Sequence, residues 1–420
     1  MNDEPTRSLA IGQRSLGDPS ISFPLFPPQT AGCPKTSGDE IAYPLEVAYD
    51  YGAVPADLFD RGVKAGLRHW APLLPPLAPM LNLAEGGTPL LDLPALAAYA
   101  GVDVETFVKD ESRNPTWSHK DRLNVCAVSA ALLSGAPGVV VASAGNHGAS
   151  AAAYAAAAGL PCVVITTADG PPAVRAFVSA YGAAVLAVSR EARWDVLAMV
   201  VDRLGYHPVS NRTVTHTGHP FGPEGYKTIA YELFLQLGRR VPGAVFVPTG
   251  YGELLYGVWK GFLELRDLGH TRTVPRLYAC EPERRGPLAA ALRAGAPAAH
   301  VAARPTAAYS IGCTTSGYRG VLAIRGSGGE AVLVTEAELE SATQAMAKAG
   351  LWAESSGAAA LAGLRRVADR LQPEEGPVVC LSTSSGFKNP DVCEATLRTT
   401  EPSWSAVAAE LAGLGVEVPG

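Results

Sequence analysis

One lysine stands in the most chemically informative segment of this sequence. Lys120 lies within residues 114–122, which read Asn-Pro-Thr-Trp-Ser-His-Lys-Asp-Arg. Residues 105–110 alternate as a strand does, and the apolar residues 123–133 favour a helix. Because the helix dipole disfavours a lysine at a helix start, a compensating interaction is expected there. A lysine amine at such a turn can form a Schiff base with an aldehyde or bind a phosphate; the alternative is an ordinary solvated lysine.

Three further loops carry residue types that suit ligand binding. Residues 143–148, Ser-Ala-Gly-Asn-His-Gly, precede an alanine-rich helical segment, and backbone N–H groups at a helix start bind anions such as carboxylates. In this loop Asn146 can hydrogen-bond a phenolic oxygen. Residues 248–257 form a glycine loop that can hold a phosphate, and residues 381–388 place hydroxyls at a strand end. In isolation, each loop is equally compatible with an ordinary turn or helix cap.

Composition restricts the class of protein. The 420 residues are 47% hydrophobic and 18% charged, which predicts a globular chain. The net charge of −6 comes without a basic run, so nucleic acid is an unlikely class of partner. Seven widely spaced cysteines, Cys393 among them, lack the spacing of a zinc site, and no metal site is predicted. The start lacks a signal-peptide pattern and no stretch suits a membrane span, so we expect a cytoplasmic protein.

Short apolar runs alternate with helical segments over most of the chain. The predicted strands include residues 139–142, 161–165, 244–247, 276–280 and 378–381. Helices are predicted between them, one of them over residues 336–349 after a capping Thr335. This alternation favours an α/β fold with mostly parallel sheets covered on both faces. Ligands bind at the carboxyl ends of strands in such sheets, which is where the four loops fall.

In their order along the chain, the four loops resemble those of fold type II pyridoxal phosphate enzymes, and more narrowly of threonine synthases. Supporting stretches are residues 45–50, 85–91, 224–232 and 354–361, and the resemblance spans about residues 45 to 390. It implies two three-layer α/β/α domains with pyridoxal 5′-phosphate (PLP) in the cleft between them. The implied division is an N-terminal arm (1–80), a larger domain (81–124 plus 212–400), a smaller mobile domain (125–211) and a tail (401–420).

The resemblance also implies a role for individual residues. Lys120 would carry the aldimine linkage to the cofactor and act as acid and base on the substrate Cα. Asn146 would contact the cofactor's ring oxygen, and the hydroxyl of Thr383 would meet the ring nitrogen. The cofactor phosphate would be held by Gly250, Tyr251, Gly252, Glu253 and Leu254. The substrate would be bound by Ser118, Ser143, Ala144, Gly145 and His147.

Several positions depart from the family pattern. Trp117 replaces a usual glycine and could reshape the pocket or pack under the lysine. His119 could assist proton transfer or point elsewhere, and Leu123 stands where glycine is common. Ala144 occupies the position of the second base in serine racemases, which argues against racemisation. Glu253 is foreign to the phosphate loop and would have to point away from a phosphate.

Three functions remain open at the level of sequence. The first is elimination or replacement at Cβ or Cγ of an amino acid that is phosphorylated or otherwise activated. A phosphate leaving group would need a cation, for which the candidates are Arg122, Arg285, Arg319 and Lys388. The second is a serine or threonine dehydratase or ammonia-lyase that gives a 2-oxo acid. The third is a non-catalytic regulatory protein that binds PLP or an amino acid. A homodimer is expected in each case.

Overall fold

The computed structural model describes residues 7–168, 170, 172–189, 191–388 and 399–418. Contacts divide the chain into a main unit, residues 1–388, and a C-terminal unit, residues 389–420. Cys393, part of the end of the larger predicted domain and the last two residues of the predicted tail lie outside the described residues. In the described part of the chain, no helix combines the length and the apolar character needed to cross a membrane.

The main unit contains thirteen strands in its described residues. In chain order they are β1 (Ala10–Ser15), β2 (Ser22–Phe23), β3 (Leu45–Tyr49), β4 (Leu90–Asp92), β5 (Thr106–Asp110), β6 (Val139–Ala142), β7 (Cys162–Thr166), β8 (Ala184–Ala187), β9 (His207–Pro208), β10 (Ala244–Pro248), β11 (Arg276–Pro282), β12 (Glu330–Val334) and β13 (Val378–Ser382). Short apolar runs form most of them, as the sequence predicts.

Helices cover the sheets, and short 3-10 turns join several elements. The α-helices are α1 (Pro94–Ala100), α2 (Lys120–Leu133), α3 (Asn146–Ala157), α4 (Pro172–Ala180), α5 (Arg193–Leu204), α6 (Gly222–Gln236), α7 (Glu253–Asp267), α8 (Pro287–Arg293), α9 (Tyr318–Ser327), α10 (Glu336–Lys348), α11 (Ser355–Arg366) and, in the C-terminal unit, α12 (Trp404–Gly413). The predicted cap of α10 is confirmed, since Thr335 and Glu338 form a reciprocal capping box.

Two sheets are built mainly from parallel strands. The six-stranded sheet has the order β12-β11-β10-β13-β5-β4, in which only β4 runs antiparallel to its neighbour. The four-stranded sheet has the order β8-β7-β6-β9 and is parallel throughout. Every residue of the central strands β10 and β13 is buried, which explains their continuous apolar runs. The α/β prediction is therefore confirmed.

The lead-in, residues 1–40, forms regular structure that its sequence does not predict. Expected to be an arm or partly disordered, it contains β1 and β2, which form an antiparallel sheet with β3, where β1 pairs with both of the others. The pattern of residues 1–40 gives little sign of these strands because β2 pairs only with β1, and β1 depends on pairing with the distant β3. The cation Lys260 of α7 donates to the Val47 carbonyl at 2.8 Å, which attaches this sheet to the main body.

Parallel pairing brings three of the predicted loops to one edge. Strands β5, β10 and β13 are neighbours and run in the same direction, so their carboxyl ends at Asp110, Pro248 and Ser382 lie side by side. The Lys120 loop, the glycine loop and the Ser-rich loop follow these three ends. The fourth loop follows β6 of the smaller sheet.

Candidate active site

Lys120 is the first residue of α2, and a close helix contact determines what surrounds it. Gly225 of α6 faces the backbone of α2 so closely that a Cβ at residue 225 would lie 1.7 Å from the Arg122 carbonyl oxygen. Only glycine permits this approach. The contact places the next residue, Tyr226, beside the lysine, and the Lys120 Nζ donates to the Tyr226 hydroxyl at 3.0 Å.

The environment of Lys120 favours its neutral form. Burial lowers the pKa of Lys120 below its usual value, although the nearby Glu253, Cys313 and Glu354 act in the opposite direction. A lowered amine pKa increases the fraction of the nucleophilic form near neutral pH. Burial likewise raises the pKa of Tyr226 far above its usual range, so its hydroxyl stays protonated. Lys120 is therefore a half-buried nucleophile in contact with a hydroxyl and not an ordinary solvated lysine.

The Lys120 loop pairs directly with the Ser-rich loop. Ser118 forms an isolated antiparallel bridge with Ser384, and the His119 backbone N–H donates to the Thr383 carbonyl at 3.1 Å. The His119 Nδ1 lies 3.0 Å from the same carbonyl oxygen. Burial, followed by the charge of Lys120, holds the pKa of His119 well below its usual value. Since the His119 ring is turned to a backbone carbonyl and stays neutral, the structure favours the alternative that it points elsewhere over a role in proton transfer.

Trp117 adopts a conformation that explains the usual glycine at its position. Its φ of +60° lies in the left-handed region, which costs a residue with a Cβ about 1–2 kcal/mol. The indole does not pack under the lysine: it is 41% exposed and contacts the rings of Phe177 at 5.2 Å and Phe387 at 5.9 Å between centroids. Leu123 instead fills the core, fully buried against Gly222.

Asn146, at the start of α3, joins the carboxylate loop to the same region. Its Oδ1 accepts hydrogen bonds from the Lys388 Nζ at 2.8 Å and the Ser384 Oγ at 3.2 Å. Its Nδ2 donates to the Glu354 Oε1 at 3.0 Å. Although Glu354 lies in one of the motifs that carry the resemblance, no role was predicted for it. The predicted ligand of a ring oxygen is thus held by three side chains from two other segments, the Ser-rich loop and the start of α11.

The carboxylate loop follows β6 and presents the start of α3. The Ser143 Oγ accepts from the Gly145 N–H at 3.2 Å, and Ala144 packs beside Gly170. Among the described residues, the buried His147 Nε2 and Ser118 Oγ have no hydrogen-bond partner. Burial and then the charge of Lys120 lower the pKa of His147 to about 3, so it is neutral. Buried polar atoms without partners are expected where a polar ligand completes the bonding.

The glycine loop is shaped for close approach of a ligand to its backbone. A Cβ at residue 250 would lie 2.9 Å from the Cys313 Sγ, and one at residue 252 would lie 2.8 Å from the Gly320 Cα. Gly252 has a φ of +86° and directly precedes α7, whose first N–H groups face outward along the helix axis. The loop therefore offers a helix N-terminus to an anion, as a phosphate cradle requires.

Glu253, at the start of α7, pairs with a histidine from another segment. Its Oε2 lies 3.0 Å from the Nε2 of His216, a residue that sequence reasoning missed. His216 also stacks on Tyr251, with ring centroids 3.9 Å apart. Burial opposes ionisation of Glu253, but His216 lowers its pKa to about 2. The carboxylate and the tyrosine ring thus anchor residues 216–218 to the loop, while the neighbouring Leu254 is buried.

The four cations proposed to face a leaving group lie in different surroundings. Arg122 is enclosed by Glu111 and Glu232, and Arg319 donates to the carbonyls of Thr217 and Leu45. Arg122 is fully occupied in the core, which corrects the expectation that it faces a leaving group. Arg319 is also buried, but its Nε has no hydrogen-bond partner among the described residues. Lys388 binds Asn146. The charge of Arg285 acts on Cys313, and the charge of Arg319 acts on Glu253. Cys313 and Glu253 both act in turn on Lys120.

The arrangement fits PLP. A half-buried amine is available for the aldehyde, a carboxamide for the ring oxygen and a glycine-lined helix start for the phosphate. At the end of β13, Thr383 is buried beside Ser382, whose buried Oγ has no partner among the described residues. A hydroxyl there suits a ring nitrogen. All four loops thus contribute complementary groups around Lys120.

Comparisons with known proteins agree with this fit. Residues 81–384 match the family described as "Pyridoxal-phosphate dependent enzyme". A threonine synthase from Methanosarcina acetivorans is 34% identical, over 85% of this chain and 92% of that protein. A threonine synthase from Synechocystis sp. is 36% identical, over 74% of this chain and 80% of that protein.

Solved structures show the same fold. The match to maize serine racemase covers 78% of this chain and 93% of the racemase chain, with a TM-score of 0.62 and 19% identity. The T.th. threonine deaminase covers 74% and 94%, with a TM-score of 0.59 and 25% identity. The chain therefore belongs to the pyridoxal-phosphate dependent enzymes, as a threonine synthase-like member of fold type II, a lyase or synthase whose cofactor is pyridoxal 5′-phosphate.

Proposed function

We propose that Lys120 binds PLP through a Schiff base and then serves as the acid and base at the substrate Cα. The contact of its amine with the Tyr226 hydroxyl at 3.0 Å is the observation that carries this proposal. When bound, the cofactor supplies an electron sink for negative charge on the substrate Cα. The lowered pKa of Lys120 supports both roles, because the amine must lose a proton before it can attack or act as a base.

The remaining cofactor contacts are assigned from the same geometry. Asn146 donates to the ring oxygen, and the backbone of the loop containing Gly250, Tyr251, Gly252, Glu253 and Leu254 holds the phosphate. Thr383 meets the ring nitrogen. A neutral hydroxyl does not keep this nitrogen protonated as an aspartate does, and the resulting weaker electron sink suits elimination and replacement.

The substrate is an amino acid whose carboxylate binds the start of α3. The contacts proposed for it are Ser118, Ser143, Ala144, Gly145 and His147. The unpartnered Ser118 Oγ and His147 Nε2 support this assignment. Ala144 has no group that can remove a proton from the opposite face of the cofactor, so racemisation is not proposed.

The reaction is elimination or replacement at Cβ or Cγ, as PLP-dependent relatives of the threonine synthase kind perform. We infer that the substrate is a hydroxy amino acid that is phosphorylated or otherwise activated. Arg122 is occupied by its two carboxylates and Lys388 binds Asn146, so Arg285 and Arg319 are the candidates proposed to face an anionic leaving group.

A dehydratase or ammonia-lyase is the second candidate. His147 in the sequence Gly-Asn-His-Gly favours it, and so does the likeness to the T.th. threonine deaminase. The products separate the two candidates, since replacement gives a new amino acid whereas the lyase gives a 2-oxo acid and ammonia. The non-catalytic alternative is set aside because the family is one of enzymes.

Cofactor linkage is tested on the purified full-length chain. Addition of PLP should give a yellow protein, and borohydride reduction followed by peptide mass spectrometry should place the cofactor on Lys120. Lys120→Ala should keep the fold by circular dichroism but lose turnover and borohydride labelling. Labelling of a different lysine, or unchanged activity of Lys120→Ala, would refute the assignment.

The substrate class is tested by a spectral screen. O-phosphohomoserine, O-phosphoserine, serine and threonine should each be added to the holoenzyme while its visible absorbance is followed. An activated hydroxy amino acid should change the spectrum at the lowest concentration and release its leaving group. A 2-oxo acid from unactivated serine or threonine, with no change from the phosphorylated compounds, would support the lyase instead.

We also propose the assembly and the domain division expected from the sequence. The smaller domain, residues 125–211, would close over the substrate against the larger one, residues 81–124 plus 212–400. A homodimer in the cytoplasm is proposed on the same basis. Light scattering of the purified holoenzyme tests the dimer, and a monomeric mass would contradict it.

A further inference from the structure

The geometry points to Lys388 as a positioning residue that, together with Glu354 and Ser384, holds the Asn146 carboxamide in one orientation so that a remaining N–H faces the cofactor's ring oxygen. This inference rests on the proposed contact between Asn146 and the cofactor. It assigns a role to three side chains for which the proposed function has none.

Hydrogen-bond capacity carries the first step. A carboxamide oxygen accepts two hydrogen bonds and its nitrogen donates two. The Asn146 Oδ1 accepts from the Lys388 Nζ at 2.8 Å and the Ser384 Oγ at 3.2 Å, which uses both acceptor sites. Its Nδ2 donates to the Glu354 Oε1 at 3.0 Å, which uses one of two donors. One N–H remains for a ligand.

The charges of Lys388 and Glu354 favour one of the two orientations of the Asn146 carboxamide. If the carboxamide rotated by half a turn, its N–H groups would face the Lys388 ammonium and its oxygen would face the Glu354 carboxylate. Both contacts would be repulsive, and neither group could turn to water because both side chains are buried. Lys388 and Glu354 therefore exclude the flipped state, in which an acceptor would face the ring oxygen.

Several elements surround the Lys388 ammonium. Asp121 of α2 and Glu354, just before α11, are the acidic groups whose charges act on it. The ring of Phe177 in α4 has its centroid 5.7 Å from the Nζ, and the Lys388 charge in turn acts on His119. Burial lowers the pKa of Lys388 to about 8 against the influence of both acids. At neutral pH the ammonium form therefore predominates.

The charge of Lys388 beside Asn146 should change the visible spectrum of the bound cofactor as a function of pH. Through the carboxamide, the Lys388 charge stabilises the deprotonated ring oxygen and opposes protonation of the nitrogen that Lys120 contributes to the cofactor. The pKa of the bound cofactor can be read from the pH dependence of its visible absorbance. Removal of the Lys388 charge should raise this pKa by about one unit or more, as expected when a nearby charge is lost. Freedom of the carboxamide to rotate should also weaken cofactor binding.

The experiment compares full-length holoenzyme variants by pH titration of the visible spectrum and by PLP affinity. Lys388→Met should show the raised pKa and a cofactor affinity at least about tenfold weaker. Lys388→Arg, which keeps charge and donors, should restore most of both. Lys35→Met, at an exposed lysine, is the matched control and should titrate like the wild type.

Two results would overturn the inference. One is a Lys388→Met protein that binds PLP and titrates as the wild type does. If that variant fails to fold, Ser384→Ala decides: it removes one donor to the Asn146 Oδ1, and unchanged spectrum and affinity would refute the fixed carboxamide. Failure of the proposed function is distinguishable, because the wild-type protein itself would then remain colourless with PLP.

Discussion

The buried ion pairs of Arg122 give the sharpest stability prediction. Its guanidinium donates to Glu111 through Nε at 2.7 Å and Nη2 at 2.8 Å, and to Glu232 through Nη1 at 2.6 Å and Nη2 at 2.8 Å. The three side chains are 0% exposed. Arg122→Met keeps an unbranched apolar stem but leaves two buried carboxylates with one remaining cation, Lys109, which contacts Glu232.

The expected cost follows from removing one partner of a buried pair. Loss of a single partner costs about 3–5 kcal/mol, because the charge left behind has neither water nor counterion. Glu111 keeps hydrogen bonds from Thr88 and Asn114, which places the expected loss within this range and not above it. Since Lys120 lies two residues before Arg122, weaker cofactor binding should accompany the loss of stability.

Urea unfolding of the cofactor-free protein measures this loss, and a surface pair supplies the control. Arg240 contacts Glu105 at 2.6 Å, and the two side chains are 52% and 56% exposed. Arg240→Met should cost far less stability than Arg122→Met, since exposed pairs contribute little. If Arg122→Met lost no more stability than Arg240→Met, the reasoning about the buried pairs would be refuted.

Three further predictions concern other sites. Trp117→Gly should leave the free energy of unfolding within about 1 kcal/mol of the wild type, because relief of the left-handed φ offsets the lost ring contacts; a loss above about 2 kcal/mol in urea unfolding would contradict this. Tyr226→Phe should keep the cofactor bound but lower kcat at least about tenfold, because Lys120 loses its hydroxyl partner; an unchanged kcat would argue against it. The third concerns Glu46, whose pKa burial would raise but Lys260 and Arg14 lower to about 2. A depressed carboxyl pKa stabilises the fold above about pH 4.5, and this contribution, on the order of 3 kcal/mol, is lost as pH falls towards 2. Glu46→Gln should therefore flatten the pH dependence of urea stability between pH 4.5 and the acid limit, and an unchanged slope would count against the pairing.

Local sequence was sufficient where structure depends on neighbours along the chain. The apolar runs of β10 and β13 predicted buried parallel strands, and Thr335 predicted the start of α10, because burial pattern and capping act over a few residues. The positions of the four loops followed from the same pattern. The departure at Trp117, where the resembled family usually has glycine, fell at a position whose backbone is left-handed. The sequence thus pointed to a position where the backbone conformation favours glycine.

Partners distant in sequence could not be predicted in this way. Neither Tyr226 nor Glu354 was given a role, although both lie in motifs quoted for the resemblance, since their contacts with Lys120 and Asn146 span 106 and 208 residues. Arg122 was a candidate for contact with a phosphate leaving group, but its two carboxylate partners hold it in the core. The strand β1 was missed because its partner β3 supplies the pairing.

The sequence by itself determined the chemistry that is available: a lysine at a helix start, a glycine loop, a carboxamide and a hydroxyl, in an order that identified the family. Only the tertiary structure decided which groups face that chemistry. Burial and charge pairing depend on which residues are neighbours in space. The fold therefore determines that Arg122 contacts its two carboxylates and that Lys388 contacts Asn146. The same packing, through Gly225, places a tyrosine hydroxyl beside the amine of Lys120.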